Sequence, residues 1–131
     1  MKGILLIAHG DRTGDALKQT AALAGMMQEM SGAVVGFGFL QFARPGIAEA
    51  LDAMRGYNID VLIAVPVFLW SGVHVTESIP HSLGISPASG RGEFVLADGK
   101  RVLLVYAAPV GAGPELAKLL LRRVDDAEAP V

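Results

Sequence analysis

The stretch Gly3-Ile4-Leu5-Leu6-Ile7-Ala8-His9-Gly10-Asp11-Arg12 decides the fold, because an unbroken apolar run gives way at once to polar residues and glycine. Such a short run predicts a β-strand that is buried on both faces. Three similar runs follow, and amphipathic segments with a helical period separate them. The predicted strands cover residues 4–8, 33–39, 60–68 and 101–106, and the predicted helices cover residues 15–30, 45–55, 74–83 and 115–124. The first helix has an apolar stripe that includes Leu17 and Met30, and the last helix is expected to point Leu116, Leu119 and Leu120 inward.

The alternation of strands and helices predicts an α/β fold. Four parallel strands covered by helices on both faces form a three-layer sandwich, and right-handed crossovers favour the strand order 2-1-3-4. Residues 93–97 remain open, because they either pair as an edge strand around an Asp98-Gly99 turn or stay outside the sheet. We expect a single domain over residues 1–124 and an acidic, frayed C-terminal tail over residues 125–131.

The composition excludes several classes of function. A chain of 131 residues that is 52% hydrophobic and 18% charged is sufficient for one globular domain and is not disordered. Its net charge of −2 offers no basic excess for nucleic acid, and the absence of cysteine excludes disulfides and thiolate metal sites. No apolar segment reaches the length of a membrane span, and the N-terminal run is too short for a signal peptide. We therefore expect a cytoplasmic protein that contacts no membrane.

Two histidines follow strands that are predicted to be neighbours. His9 ends the first strand and His74 follows the third, where the strand order reverses and ligands of such sheets bind. Two converging imidazoles predict a site for a divalent metal ion, and either imidazole can serve as a base. The alternative is that each is only a hydrogen-bonded histidine at a strand end.

Residues near these histidines allow more than one interpretation. Glu77 and His81 share a helix face with His74, so they either extend the site or lie on a solvated face. Asp11 is expected to cap the first helix rather than to orient His9. Pro80 predicts that the helix over residues 74–83 either starts late, capped by Ser78, or is distorted.

Three motifs carry a resemblance to a known family. They are residues 4–12, the segment Phe39-Leu40-Gln41-Phe42-Ala43-Arg44-Pro45, and residues 65–80 with the core Trp70-Ser71-Gly72-Val73-His74. The chain resembles the short, CbiX-type sirohydrochlorin chelatases, which are class II metallochelatases, and the resemblance covers nearly its whole length. It implies a flavodoxin-like, chelatase-like fold. It also implies insertion of Co²⁺, Ni²⁺ or Fe²⁺ into sirohydrochlorin or a related tetrapyrrole during cobalamin or other modified-tetrapyrrole biosynthesis.

The resemblance also implies roles for individual residues. His9 and His74 match the two metal-site histidines and are the expected catalytic residues, with the metal as a substrate and no organic cofactor. The short forms act as homodimers with a shared cleft for the tetrapyrrole. Arg44 and Arg12 are expected to pair with tetrapyrrole carboxylates, and Gln41 and Glu77 to lie at the site. The loop that contacts the macrocycle matches Leu69, Trp70, Ser71, Gly72 and Val73.

Three positions depart from the family pattern. Gln41 stands where the family usually has Glu, Arg44 where an acidic residue is common, and Ser78 where the family has Asp. Carboxylates there would attract metal or orient a ligating histidine. Two other functions remain open, and the departures favour the first. One is a non-catalytic relative that carries a tetrapyrrole or a metal, and the other is an unrelated flavodoxin-like domain that binds a phosphate-containing ligand.

Overall fold

The computed structural model describes residues 1–130 as alternating strands and helices. Val131, the last residue of the predicted tail, lies outside the described residues. A single π-helical turn, His74–Ser78, precedes the third helix without a break. The strands are β1 (Lys2–Ala8), β2 (Val34–Phe39), β3 (Val61–Pro66), β4 (Arg91–Val95) and β5 (Arg101–Tyr106), and the helices are α1 (Asp15–Ser31), α2 (Ile47–Met54), α3 (Ile79–Leu83) and α4 (Pro114–Glu128).

The strands form one five-stranded sheet in the order β2-β1-β3-β5-β4. Strands β2, β1, β3 and β5 are parallel, which confirms the predicted α/β class. The fourth predicted strand is β5, so the predicted order 2-1-3-4 is confirmed as β2-β1-β3-β5. The remaining strand, β4, includes the start of the segment 93–97, for which the sequence allowed an edge strand or a loop. It pairs antiparallel with β5. The hairpin turns at Gly99, which has φ 91°, a conformation that favours glycine. Strand β4 thereby covers an edge of β5 that would otherwise be unpaired.

The main core lies between the sheet and helices α2 and α3. Side chains from one face of the sheet, including Leu5, Ile7 and Leu104, pack there with Met54 and Ile79. A Cβ at Gly38 would lie 2.8 Å from the Cβ of Ala50, so glycine at this position allows α2 to pack closely on β2. This packing fixes the carboxyl ends of β1 and β2 relative to α2.

The opposite face of the sheet is only partly covered. Helix α1 lies over β1 and β2 and buries only Thr20 and Ala24. Two large residues of its predicted apolar stripe, Leu17 and Met30, are exposed, Met30 by 86%. Only the small members of the stripe are buried, because the helix meets the sheet through Thr20 and Ala24. Over β3 and β5 this face remains open to solvent, and Leu103 is 43% exposed.

Helix α4 differs from its prediction in two respects. It continues to Glu128, so residues 125–128 of the predicted frayed tail are helical. Leu119 and Leu120 were predicted to point into the core, yet none of the residues of α4 is buried. These leucines stay exposed because α4 does not pack on the sheet. Among the helices of residues 1–130, none combines the length and apolar character needed to cross a bilayer.

Candidate functional site

The two predicted histidines lie side by side at the carboxyl edge of the sheet. The ring centroids of His9 and His74 are 5.1 Å apart, in an edge-to-face arrangement. Strands β1 and β3 pair in parallel and end at the same edge, which brings together two residues that are distant in sequence. The two imidazoles therefore converge, as the sequence predicted.

The backbone around Gly10 positions His9 against a second segment of chain. The carbonyl of Ala8 accepts a hydrogen bond from the N–H of Leu40, and the carbonyl of His9 accepts one from the N–H of Gln41. Gly10 has φ 95°, and a Cβ there would lie 1.9 Å from the carbonyl oxygen of Gln41. Only glycine permits this approach, which holds the loop after β2 beside His9.

Hydrogen bonds define the proton position on His9. Its Nδ1 lies 3.0 Å from the carbonyl oxygen of Gly10, which can only accept, so Nδ1 carries the proton. The lone pair is consequently on Nε2, which lies 2.8 Å from Nε2 of Gln41. The amide of Gln41 donates to the nitrogen that a metal ion would use. Sequence reasoning placed Gln41 at the site but did not identify this contact.

His74 lies at the start of the π-helical turn, which is a consequence of Pro80. A proline ring clashes with the carbonyl four residues earlier in an α-helix, and widening the turn relieves that clash. The N–H of Ile79 accordingly bonds to the carbonyl of His74, five residues back. Of the two predictions for this segment, distortion is confirmed. The α-helix itself starts late, at Ile79, but Ser78 has helical backbone angles and makes no capping hydrogen bond, so the predicted cap was wrong.

Two side chains hold the segment around His74. The hydroxyl of Ser78 lies 3.3 Å from Nδ1 of His74. The hydroxyl of Tyr106, at the end of β5, donates to the carbonyl of Val75 over 2.7 Å. Burial raises the pKa of Tyr106 to about 12, so this hydrogen bond persists well above neutral pH. The position of His74 is thus tied directly to the sheet.

Phe42 is a site residue that sequence reasoning missed. Its ring centroid lies 6.0 Å from that of His9, and the side chain is 49% exposed. The guanidinium of Arg12 lies 4.5 Å above the Phe42 ring, a cation–π contact. Phe42 also has φ 67°, which is strained for a bulky residue and is typical of functional sites. The sequence carries no signal for this conformation.

The loop after β3, which leads into His74, presents exposed apolar side chains. Trp70 is 57% exposed, and Leu69 and Val73 are also exposed, as are Ser71 and Gly72. Backbone N–H groups of Val110 and Gly111 donate to the carbonyls of Phe68 and Leu69, which anchors the base of the loop. This anchored apolar surface can accept a flat, apolar ring.

The remaining predicted residues lie around this centre. Arg44 forms an ion pair of 2.8 Å with Glu49, and this hydrogen bond holds the pKa of the Glu49 carboxyl below its usual range. The carboxylate of Asp11 accepts hydrogen bonds from the N–H groups of Gly14 and Ala16, and so caps α1 as predicted. Glu77 lines a surface cavity of about 570 Å³ together with His81. Within residues 1–130, no three or more histidine or acidic side chains converge as a metal site.

The site is open, and no carboxylate of residues 1–130 hydrogen-bonds to its histidines. Its polar groups include two imidazoles, the amide of Gln41 and the hydroxyl of Ser78, and Phe42 provides apolar surface beside His9. Such a site can hold a divalent metal ion through nitrogen ligands and water, and can also withdraw protons from a bound ligand. A closed thiolate cage would instead retain the metal.

Comparisons with known proteins agree with this architecture. Residues 3–127 match the protein-family model CbiX. The chain is 39% identical over 127 residues to the sirohydrochlorin cobaltochelatase of Methanosarcina acetivorans, with 95% of each chain covered. It is 37% identical over 126 residues to the enzyme of the same name from Methanosarcina barkeri, again with 95% of each covered. The sirohydrochlorin chelatase SirB from Bacillus subtilis subspecies spizizenii, solved in complex with cobalt, has a similar fold, with TM-score 0.77 and 22% identity over 95% of this chain and 50% of SirB.

Proposed function

This chain belongs to the CbiX family, and we propose that it is a metallochelatase that inserts Co²⁺ into sirohydrochlorin or a closely related tetrapyrrole. The observation that carries the proposal is the pairing of His9 and His74, whose rings lie 5.1 Å apart at the open edge of the sheet. Ni²⁺ and Fe²⁺ are the other candidate metals, because imidazole ligands accept all three.

The two histidines are proposed to hold the metal before transfer. Nitrogen atoms from His9 and His74, with water completing the coordination, bind a divalent ion without enclosing it. A weakly held ion suits this reaction, because the four pyrrole nitrogens must replace the protein ligands. The lack of a third histidine or carboxylate near the pair within residues 1–130 favours release over storage.

The same imidazoles are proposed to accept the protons that metal insertion displaces. A free-base tetrapyrrole loses two N–H protons when a divalent metal ion binds, so M²⁺ replaces two H⁺. His9 carries its proton on Nδ1 and presents the lone pair of Nε2, which can take one of these protons once the metal has left it. His74 or water accepts the second, and both protons pass on to solvent.

Exposed aromatic and apolar side chains are proposed to bind the macrocycle. Phe42, on the side of His9, and Trp70 with Leu69 and Val73, on the side of His74, provide surface for a flat ring. Arg12 is the cation proposed to pair with the peripheral carboxylates. Arg44 is less suited to this role than the sequence implied, because Glu49 already balances its charge.

Gln41 is proposed to compete with the metal for His9. Its amide donates to the lone pair of Nε2, so a metal ion must displace this hydrogen bond before it binds. A glutamate at this position would instead offer a third ligand. Glutamine in place of the glutamate that is usual in the family therefore lowers metal affinity and leaves both histidines in place.

We further propose that the functional unit is a homodimer with a shared cleft. The flat tetrapyrrole is too broad to be enclosed by one exposed edge of a small domain. The chain also corresponds to 50% of SirB, so two copies have about the length of that one chain.

The test is metal insertion followed by absorbance under anaerobic conditions. Purified protein is mixed with sirohydrochlorin and Co²⁺, Ni²⁺ or Fe²⁺, beside a control without protein. We expect catalysed insertion that is lost in His9→Ala and His74→Ala. The matched control is His81→Ala, which removes the third histidine of the chain from an exposed position on α3. Equal rates in all four proteins would contradict the proposal.

The second candidate function is a non-catalytic carrier of a tetrapyrrole or a metal. It is favoured by the hydrogen bonds of the histidines, because Gln41 and Ser78 contact them and no carboxylate within residues 1–130 does. A carrier would change the tetrapyrrole spectrum on binding, in proportion to the protein added, and would not turn over. The same assay therefore separates the two functions.

A further inference from the structure

The carbonyl of Val75 lacks a donor from the two helix residues that would normally serve it. In a π-helical turn a carbonyl accepts a hydrogen bond from the N–H five residues later, as the carbonyl of His74 accepts one from Ile79. For Val75 that residue is Pro80, which has no N–H. The N–H of Ile79, which an α-helical turn would direct to Val75, is already bonded to His74. The observed turn therefore gives this carbonyl no backbone donor from either position.

Tyr106 supplies the donor from the sheet instead. Its hydroxyl donates to the carbonyl of Val75 over 2.7 Å. Val75 is only 4% exposed, and backbone polar groups at buried residues need a hydrogen-bond partner. The hydroxyl of Tyr106 thus completes the hydrogen bonding that Pro80 leaves incomplete, at the residue directly after His74.

The strands of the sheet fix Tyr106 relative to His9. The N–H of Tyr106 donates to the carbonyl of Gly90 over 2.8 Å, and Tyr106 pairs with Ala64 of β3 in the parallel register. Strand β3 pairs in turn with β1, which ends directly before His9. Three paired strands therefore connect His9 to the hydroxyl that holds the Val75 carbonyl.

We propose that Tyr106 is a positioning residue of the metal site, which holds His74 at its distance from His9 through the carbonyl of Val75. The inference rests on the proposed role of the two histidines in binding the metal. His9 follows β1 directly, whereas a loop separates His74 from the end of β3. The hydrogen bond from Tyr106 gives His74 the support from the sheet that His9 receives from its own strand.

The quantity that Tyr106 controls is the separation of the two imidazoles. Their ring centroids lie 5.1 Å apart. A first-row divalent ion binds an imidazole nitrogen at about 2 Å, so two imidazoles share one ion only within a narrow range of separations. Without the hydrogen bond, the segment around Val75 adopts further positions. The apparent metal affinity then falls with the fraction of molecules in which His74 is correctly placed.

Water limits the size of this effect. Val75, Pro80 and Tyr106 line a surface cavity of about 550 Å³, so water can reach the Val75 carbonyl once the hydroxyl is removed. The loss is then that of an ordinary hydrogen bond rather than that of an unpaired buried group. We expect Tyr106→Phe to weaken Co²⁺ binding roughly two- to tenfold and to leave the domain folded.

Tyr106→Phe is the direct test, because it removes one oxygen atom and keeps the aromatic ring. Competition with a coloured Co²⁺ indicator measures the affinity, and circular dichroism confirms that the variant is folded. The matched control is Tyr57→Phe, which removes the hydroxyl of the other tyrosine from an exposed position. Binding should weaken in Tyr106→Phe and stay unchanged in Tyr57→Phe. Equal affinity in the two variants would overturn the proposal.

Pro80→Ala tests whether Tyr106 acts through the Val75 carbonyl. This substitution restores an N–H at residue 80. The carbonyl then receives a donor from residue 80 if the π-helical turn persists, or from Ile79 if the turn becomes α-helical. In both geometries it no longer depends on Tyr106, so adding Tyr106→Phe to Pro80→Ala should change the Co²⁺ affinity by less than about twofold. The same loss in both backgrounds would contradict this route.

Imidazole NMR spectra provide a measurement that does not depend on the metal. The chain has three histidines, so His9→Ala, His74→Ala and His81→Ala assign the three sets of ring signals. In metal-free Tyr106→Phe, the signals of His74 should shift more than those of His9. Unmoved His74 signals would refute the positioning role alone. Co²⁺ binding that survives in His74→Ala would refute the proposed function, and the ring signals would still decide whether Tyr106 positions His74.

Discussion

Replacing Gln41 by alanine should strengthen metal binding, although it removes a polar side chain from the site. In the metal-free protein, the amide of Gln41 donates to Nε2 of His9 over 2.8 Å, while Nδ1 of the same ring donates to a backbone carbonyl. The metal must displace the amide to reach its ligand. Gln41→Ala removes this competition and leaves the proton position on His9 unchanged.

The size of the effect follows from the hydrogen bond that is lost. A neutral hydrogen bond contributes about 0.5–1.5 kcal/mol net, and an exposed one such as this lies in the lower half of that range. Since about 1.4 kcal/mol corresponds to tenfold in affinity, we expect Co²⁺ affinity to rise roughly two- to fivefold. Gln41→Glu should raise it further, because a carboxylate adds an anionic ligand beside the two imidazoles.

Competition of the protein with a coloured Co²⁺ indicator at neutral pH measures this affinity. The matched control is Gln19→Ala, which removes an exposed glutamine on α1 that bonds to Asp15, away from the histidines. His9→Ala should abolish the increase when it is combined with Gln41→Ala. Weaker Co²⁺ binding in Gln41→Ala would refute the reasoning, because the amide oxygen would then be a ligand. Unchanged binding would show that the hydrogen bond does not compete.

Three further predictions concern the frame of the site. Gly10→Ala should lower the free energy of unfolding by roughly 2–4 kcal/mol in urea titrations, because the new side chain combines a positive φ with a clash against the Gln41 carbonyl. A loss below about 1 kcal/mol would contradict the close approach of Gly10 to Gln41. In a Tyr57→Phe background, which retains only Tyr106 of the two tyrosines, tyrosinate absorbance should have its midpoint near pH 12. The pKa of Tyr106 is higher in the folded protein than in the unfolded chain. The contribution of the neutral Tyr106 hydroxyl to the free energy of unfolding is therefore complete below about pH 10 and is lost as the pH rises through 12. Phe42→Ala should weaken tetrapyrrole binding roughly two- to tenfold, measured by quenching of the single tryptophan, Trp70, without changing Co²⁺ affinity, whereas Tyr57→Ala, equally exposed, should change neither.

Much of the fold could be predicted from the sequence because its causes are local. The apolar runs around Leu5 and Ile63 determine strands, and the helical periods between them determine crossovers. Parallel strands then share a carboxyl edge, so His9 and His74 could be assigned to one site before the structure was known. The resemblance to the CbiX family rests on the same segments.

The errors arose where long-range packing decides. Leu119 and Leu120 have the periodicity of a core-facing helix, but periodicity does not tell whether the helix lies on the sheet of its own chain. The edge strand β4 was ambiguous for a related reason, because Phe94 is buried only once the hairpin has paired. The large residues of the α1 stripe stay exposed because the helix approaches the sheet through Thr20 and Ala24.

The sequence by itself determined the order of the strands, the two histidines and the loop that follows β3. Only the tertiary structure decided what each histidine contacts. Gly10 lets the chain after β2 pass within bonding distance of β1, which delivers Gln41 to the lone pair of His9 and Phe42 to its flank. Pro80 widens the turn that carries His74. These contacts join segments about 30 residues apart, so their geometry depends on the packing of the whole domain rather than on any local pattern.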